Sequence, residues 1–104
     1  MFALVVKFDL FDADKEAGFD QLVTETVESI TENEPGTLVY AVNAVEGEPL
    51  SRIFYEVYRD REAFDEHERQ PHTRQFLDQR SEYIESFRVE FLSPLMAKGL
   101  PEAG

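Results

Sequence analysis

The sequence predicts an α+β fold of the ferredoxin-like, split βαβ kind: a four-stranded antiparallel sheet with helices on one face. Three observations predict it. Four short runs rich in Val, Ile, Leu, Phe and Tyr read as strands. Two stretches space their apolar residues as helices do. Their order is β-α-β-β-α-β, with a proline breaking the second helix.

The first strand is expected over Phe2 to Phe11, with Phe2, Leu4, Val6, Phe8 and Leu10 on one face. Asp12-Ala13-Asp14 offers helix caps, because a short carboxylate accepts from the free N–H groups of a first turn. Phe19, Leu22, Val23, Thr26, Val27 and Ile30 then form a helical stripe. Pro35 disfavours helical geometry at Glu34 and Gly36 suits a turn, so this helix should end near Asn33. Thr37 to Val45 and Leu50 to Tyr58 form a hairpin across the turn Glu46-Gly47-Glu48-Pro49. Asp60 caps a short helix through Arg69, and Pro71 fits the first turn of another, where its missing N–H costs nothing. That helix is expected to carry Phe76, Leu77, Tyr83 and Ile84 to the core, before a last strand from Phe87 to Leu92. Residues 1–94 make one domain in this reading, and 95–104 form an extended tail with prolines and glycines.

A sheet with one wet face should alternate cleanly between apolar and polar residues. The second strand does not: Leu38, Tyr40 and Val42 alternate with Val39, Ala41 and Val45. Ile53, Tyr55 and Val57 likewise oppose Phe54 and Tyr58 in the third. Helices cover one face only, so a homodimer packed through the open sheet face is expected; the alternative is an apolar patch of a size monomers rarely expose.

Composition narrows the function. A chain of 104 residues suits one domain with a real core. Nine Phe, four Tyr and no Trp lean toward a greasy interior or cavity. A net charge of −12, from 10 basic and 22 acidic residues, argues against nucleic acid and anionic membrane surfaces. It gives a strongly solvated acidic surface, as a salt-adapted host would also favour. No cysteine is present, which excludes disulfides, thiolate nucleophiles and Cys-ligated clusters. The start, Met1 to Lys7, lacks the pattern of a signal peptide, and no apolar run approaches the ~20 residues of a membrane span. A cytoplasmic location is the expectation.

Both histidines fall near the helix break. His67 shares a helix face with Ala63 and Phe64, which should point inward. His72 follows Pro71 in a first helical turn and shares a face with Phe76. A helix N-terminus disfavours an imidazolium there. They are the only side chains here whose ordinary proton affinity lies near neutral pH, so they are the candidate catalytic bases. Tyr40, Tyr55 and Tyr58 could orient an aromatic substrate, and Phe64 and Phe76 could wall its pocket. The plainer reading makes the histidines structural and the tyrosines core or dimer contacts. Glu56 would then pair with Arg52 or Arg88, and Glu25, Glu28 and Glu32 form a solvated helix face. Two histidines with Glu56 or Asp60 could imitate a metal site. The helix break leaves that geometry undefined, so no metal is expected. Phosphate loops, nucleophile elbows and H-E-x-x-H motifs are absent.

Three segments together resemble the antibiotic biosynthesis monooxygenase family. They are Glu34-Pro35-Gly36-Thr37-Leu38-Val39-Tyr40, the run from Tyr55 through Asp60 to His67, and Gln70-Pro71-His72-Thr73-Arg74-Gln75-Phe76. The resemblance spans residue 2 to about residue 93. It implies a dimeric α+β barrel. For function it implies oxygenation of phenols or quinols without metal, flavin or haem in some members, and haem degradation or action on small signalling molecules in others. The haem-degrading branch relies on a first-strand Asn and a Trp; this chain has neither, and carries His67 where that Trp would stand. The expectation is therefore a cofactor-independent monooxygenase that takes O₂ and a small electron-rich aromatic (phenol, hydroquinone or anthrone) to a quinone. His67 or His72 would be the base. The alternatives are a non-catalytic ligand-binding or stress-linked protein, and an isomerase of a small carbonyl metabolite.

Overall fold

The computed structural model describes residues 1–101; residues 102–104, the end of the expected tail, lie outside the described residues. The elements are β1 (Phe2–Leu10), α1 (Glu16–Asn33), β2 (Thr37–Val45), β3 (Glu48–Tyr58), α2 (Arg61–Arg69), α3 (Pro71–Gln79) and β4 (Ile84–Leu92). The four strands form one antiparallel sheet in the order β2-β3-β1-β4, and the fold is α+β, ferredoxin-like. No helix among the described residues is long and apolar enough to cross a membrane.

Alternation along β1 sets the two faces of the sheet. Leu4, Val6, Phe8 and Leu10 are buried toward the helices. Phe19, Leu22, Val23 and Ile30 of α1 meet them, as their helical spacing requires. Four Phe rings, at 8, 19, 54 and 76, pack with centroids 4.8 to 6.2 Å apart and form the centre of this core. The opposite face carries Ala3, Val5, Val39, Ala41, Ile53, Tyr55 and Val57, with Lys7 and Asn43 beside Ile53, Arg88 beside Lys7 and Glu90 beside Val5. Among the described residues no helix packs on it.

Several boundaries differ from the sequence expectation. The hairpin turn is only Glu46-Gly47, and β3 starts at Glu48, two residues early. Gly47 has φ 80°, a conformation that favours glycine. Pro49 is tolerated because the β1–β3 ladder ends at Ser51 and the β2–β3 register shifts at Ala44/Val45. Ile84 belongs to β4 and not to the helix: a register shift between Asp9 and Leu10 lets it pair with Leu10. A single 3₁₀ turn, Arg80–Glu82, joins α3 to that strand. Asp12 caps a 3₁₀ turn at Ala13–Lys15, accepting from the Asp14 N–H, and α1 begins without a side-chain cap. Asp60 does cap α2, accepting from the Ala63 N–H at 2.8 Å. Residues 93–101 form no helix or strand, and Leu95 and Met96 are exposed.

Candidate functional site

The centre of the site is a residue the sequence reading passed over. Glu34 is the last residue of the α1 corner, held out of the helix by Pro35, and its side chain is buried. The backbone turns tightly here: the Thr37 N–H donates to the Glu34 carbonyl at 3.1 Å, and the Arg59 N–H donates to Gly36 at 2.9 Å. A Cβ on Gly36 would lie 2.8 Å from the Ala63 Cβ, so glycine lets α2 approach this corner. That approach brings His67 onto Glu34.

One carboxylate then holds both histidines. Its Oε1 accepts from His67 Nδ1 at 2.8 Å and from the Thr37 hydroxyl at 2.6 Å. Its Oε2 contacts His72 Nε2. Burial raises the proton affinity of Glu34, but the bonds from His67, Thr37 and His72 outweigh it and hold the carboxyl below its ordinary value. An ionised carboxylate only accepts, so the bonded nitrogens carry the hydrogens. For neutral His67 this fixes the Nδ1–H tautomer and leaves Nε2 as the acceptor. Nε2 makes no hydrogen bond among the described residues and is not a sealed, unpartnered atom.

His67 borders a cavity of about 170 Å³ between the sheet and α2–α3. Phe8, Phe54, Phe64 and Phe76 supply apolar wall, and Tyr40, Glu56, Glu68 and Arg80 bring polar groups to it. Phe87 and Phe91 line it from β4 while remaining about half exposed, so it opens along that edge. An apolar cavity of ~150 Å³ holds a benzene ring, so this space fits one six-membered ring with small substituents.

Three groups here have raised proton affinities. Burial raises the Glu56 carboxyl to about 7, against the lowering effect of the Tyr58 hydroxyl, which donates to it at 2.6 Å. Burial, then the carboxylates of Glu56, Glu34 and Glu68, raise the Tyr40 hydroxyl well above its ordinary value, so it remains a donor. Burial, then Glu56, raise Tyr58 as well.

The structure thus brings His67, Tyr40, Phe64 and Phe76 together at one cavity. Tyr58 is fully buried behind it, bonded to Glu56 and packed against the rings of Phe64 and His67. His72 does not line the cavity; it borders a small cleft against α1 with Ser29 and Gln75, and joins the site through Glu34. Tyr55 lies on the open sheet face, paired with Val5 and Ala41, a sheet thickness away. Glu56 pairs with neither arginine. Arg52 turns to α1 and bonds Asp20 and Glu16, and Arg88 sits on the open face opposite Lys7. Asp60 is spent as the α2 cap.

The antibiotic biosynthesis monooxygenase family profile matches residues 1–79. No curated protein matches the chain. Solved structures do. Rv0793 from Mycobacterium tuberculosis is 25% identical, with a TM-score of 0.82 over 92% of this chain and 96% of that one. Protein SO0527 from Shewanella oneidensis is 29% identical, with a TM-score of 0.77 over 88% and 87%. A candidate antibiotic biosynthesis monooxygenase from Bacteroides thetaiotaomicron shares the fold at 21% identity, with a TM-score of 0.85 over 97% and 94%. With its profile matched over most of the length and its fold shared, the chain belongs to the antibiotic biosynthesis monooxygenase family.

Proposed function

We propose that this protein is a cofactor-independent monooxygenase that converts a small electron-rich phenol or hydroquinone to a quinone. The observation that carries the reading is the Glu34–His67 pair: a buried imidazole that borders a Phe-walled cavity while a carboxylate holds its Nδ1 and leaves Nε2 without a hydrogen-bond partner among the described residues. A carboxylate behind an imidazole orients it and stabilises the imidazolium that forms when it takes a proton.

The chemistry asks little more of the protein. His67 removes the phenolic proton, while the Tyr40 hydroxyl donates to the developing phenolate. The electron-rich anion passes one electron to O₂. The ring radical and superoxide then join in a carbon–oxygen bond, and the peroxide takes up the proton held by His67. Loss of the hydrogen on that carbon, with cleavage of the O–O bond, releases water and leaves the quinone carbonyl. One oxygen atom enters the product and the other leaves as water. Glu56, with a pKa of about 7, can exchange the second proton.

The test is oxygen uptake by metal-stripped protein with phenols, hydroquinones and anthrones. The cavity volume favours one-ring compounds over three-ring anthrones. No uptake with any of them would contradict the reading. One observation favours a second reading: His67 and Glu56 are two proton-transfer groups on one cavity, as an isomerase of a carbonyl compound needs. Hydrogen exchange at a substrate carbon without oxygen uptake would select it.

The open sheet face supports a homodimer. Ile53, Tyr55, Val39 and Val5 are only half-buried there with no helix above them. A Tyr55→Asp substitution places a charge in this face and should convert a dimer to a monomer in light scattering after size exclusion. A monomeric wild type, or a dimer the substitution leaves intact, would argue against it.

A further inference from the structure

We propose that the cavity takes a single-ring aromatic acid, with the carboxylate of the ligand paired to Arg80. The proposal deepens the function above by naming a substrate class, and it rests on that reading only for the chemistry that follows binding.

Arg80 is the group the mechanism leaves unused. It stands at the end of α3 and lines the cavity, with its guanidinium carbon 4.4 Å from the centre of the Phe87 ring and 5.9 Å from that of Phe8. Stacking on rings stabilises a guanidinium but satisfies none of its five N–H donors. Among the described residues Arg80 forms no hydrogen bond and no ion pair, and burial lowers its proton affinity. Arg52 shows how this chain finishes a buried arginine meant for structure. Its guanidinium makes five hydrogen bonds, to Asp20, Glu16 and the carbonyls of Pro49 and Ser51. Its nitrogens are not sealed off, so in a chain with 22 acidic and 10 basic residues these donors stay open to an incoming anion.

The neighbouring acids do not fill that role. Glu56 is bonded to Tyr58, and Glu68 lines the cavity without coming within ion-pair distance of Arg80. A planar carboxylate matches the fork of a guanidinium in a two-point contact. The cavity volume matches one ring, so the ligand whose ring it encloses is a benzene carboxylate.

The experiment is equilibrium binding without oxygen, comparing hydroquinone with its ring carboxylate, gentisate. A charge-assisted pair is worth about ten- to a hundredfold, and the wild type should prefer gentisate by that factor. Arg80→Gln should erase the preference, bringing gentisate and hydroquinone to within about twofold of each other, whereas Arg80→Lys should keep part of it. Glu68→Gln removes the facing carboxylate and should tighten gentisate binding. Equal affinities in the wild type, or a preference that survives Arg80→Gln, would overturn the proposal. If Arg80→Gln does not fold, the wild-type comparison and the Lys and Glu68 variants still decide it. Binding is read without turnover, so failure to consume oxygen sinks the oxygenase reading alone, and equal affinities sink the acid site alone.

Discussion

A Glu34→Gln variant is expected to lose oxygen-dependent turnover by about 10²–10⁴-fold, nearly as much as His67→Ala, although Glu34 touches no part of the cavity. The reason is the tautomer. The carboxylate can only accept, so it holds the hydrogen of His67 on Nδ1 and leaves Nε2 free to act as base. A glutamine amide at the same place can donate to Nδ1, which moves the hydrogen to Nε2 and removes the base from the cavity. His72→Ala should cost far less, because His72 meets the other carboxylate oxygen and lines a different cleft. The check is steady-state oxygen uptake by the three variants with thermal melts alongside. Equal losses in His72→Ala and Glu34→Gln would mean the cluster is structural.

Glu56→Gln should stabilise the protein, and only at neutral to alkaline pH. The Glu56 carboxyl is raised to about 7 in the folded state, chiefly by burial, against an unfolded value near 4.5. A raised carboxyl makes its full contribution to stability below its unfolded value and loses it as pH rises through the folded one. Above pH ~7 the native state therefore carries a buried charge that costs on the order of 3 kcal/mol. Glutamine keeps an acceptor for the Tyr58 hydroxyl without that charge. The variant should melt roughly 10 °C or more above the wild type at pH ~8, and the gain should shrink toward nothing at pH ~5. A Tm difference that is the same at both would show that Glu56 is not protonated by burial.

How far the sequence carried these conclusions can be seen residue by residue. Local signals were sufficient for the fold. The period-two run in β1, the Pro35-Gly36 corner, the Asp60 cap and Pro71 at the start of α3 act over a few residues each, and all lie where their chemistry requires. Parity could have done more. Tyr55 and Tyr58 are three apart in one strand, so they must face opposite ways, and Glu56 and Tyr58 are two apart and share a face. The Glu56–Tyr58 bond was therefore legible, and so was the exclusion of Tyr55 from the pocket. Glu34 was not. It lies 33 residues from His67 and 38 from His72, and a glutamate before Pro-Gly reads as a solvated helix end. Only the packing of α2 on the Gly36 corner closes that distance. Arg80 was hidden for a similar reason: its open donors are visible only once the cavity exists.

The most direct test of the central claim is oxygen uptake by metal-stripped wild type beside the His67→Ala/His72→Ala double variant, with a one-ring hydroquinone as substrate. One O₂ consumed per quinone formed, lost in the double variant while it remains folded, is the predicted result. Full uptake in that folded double variant would contradict it.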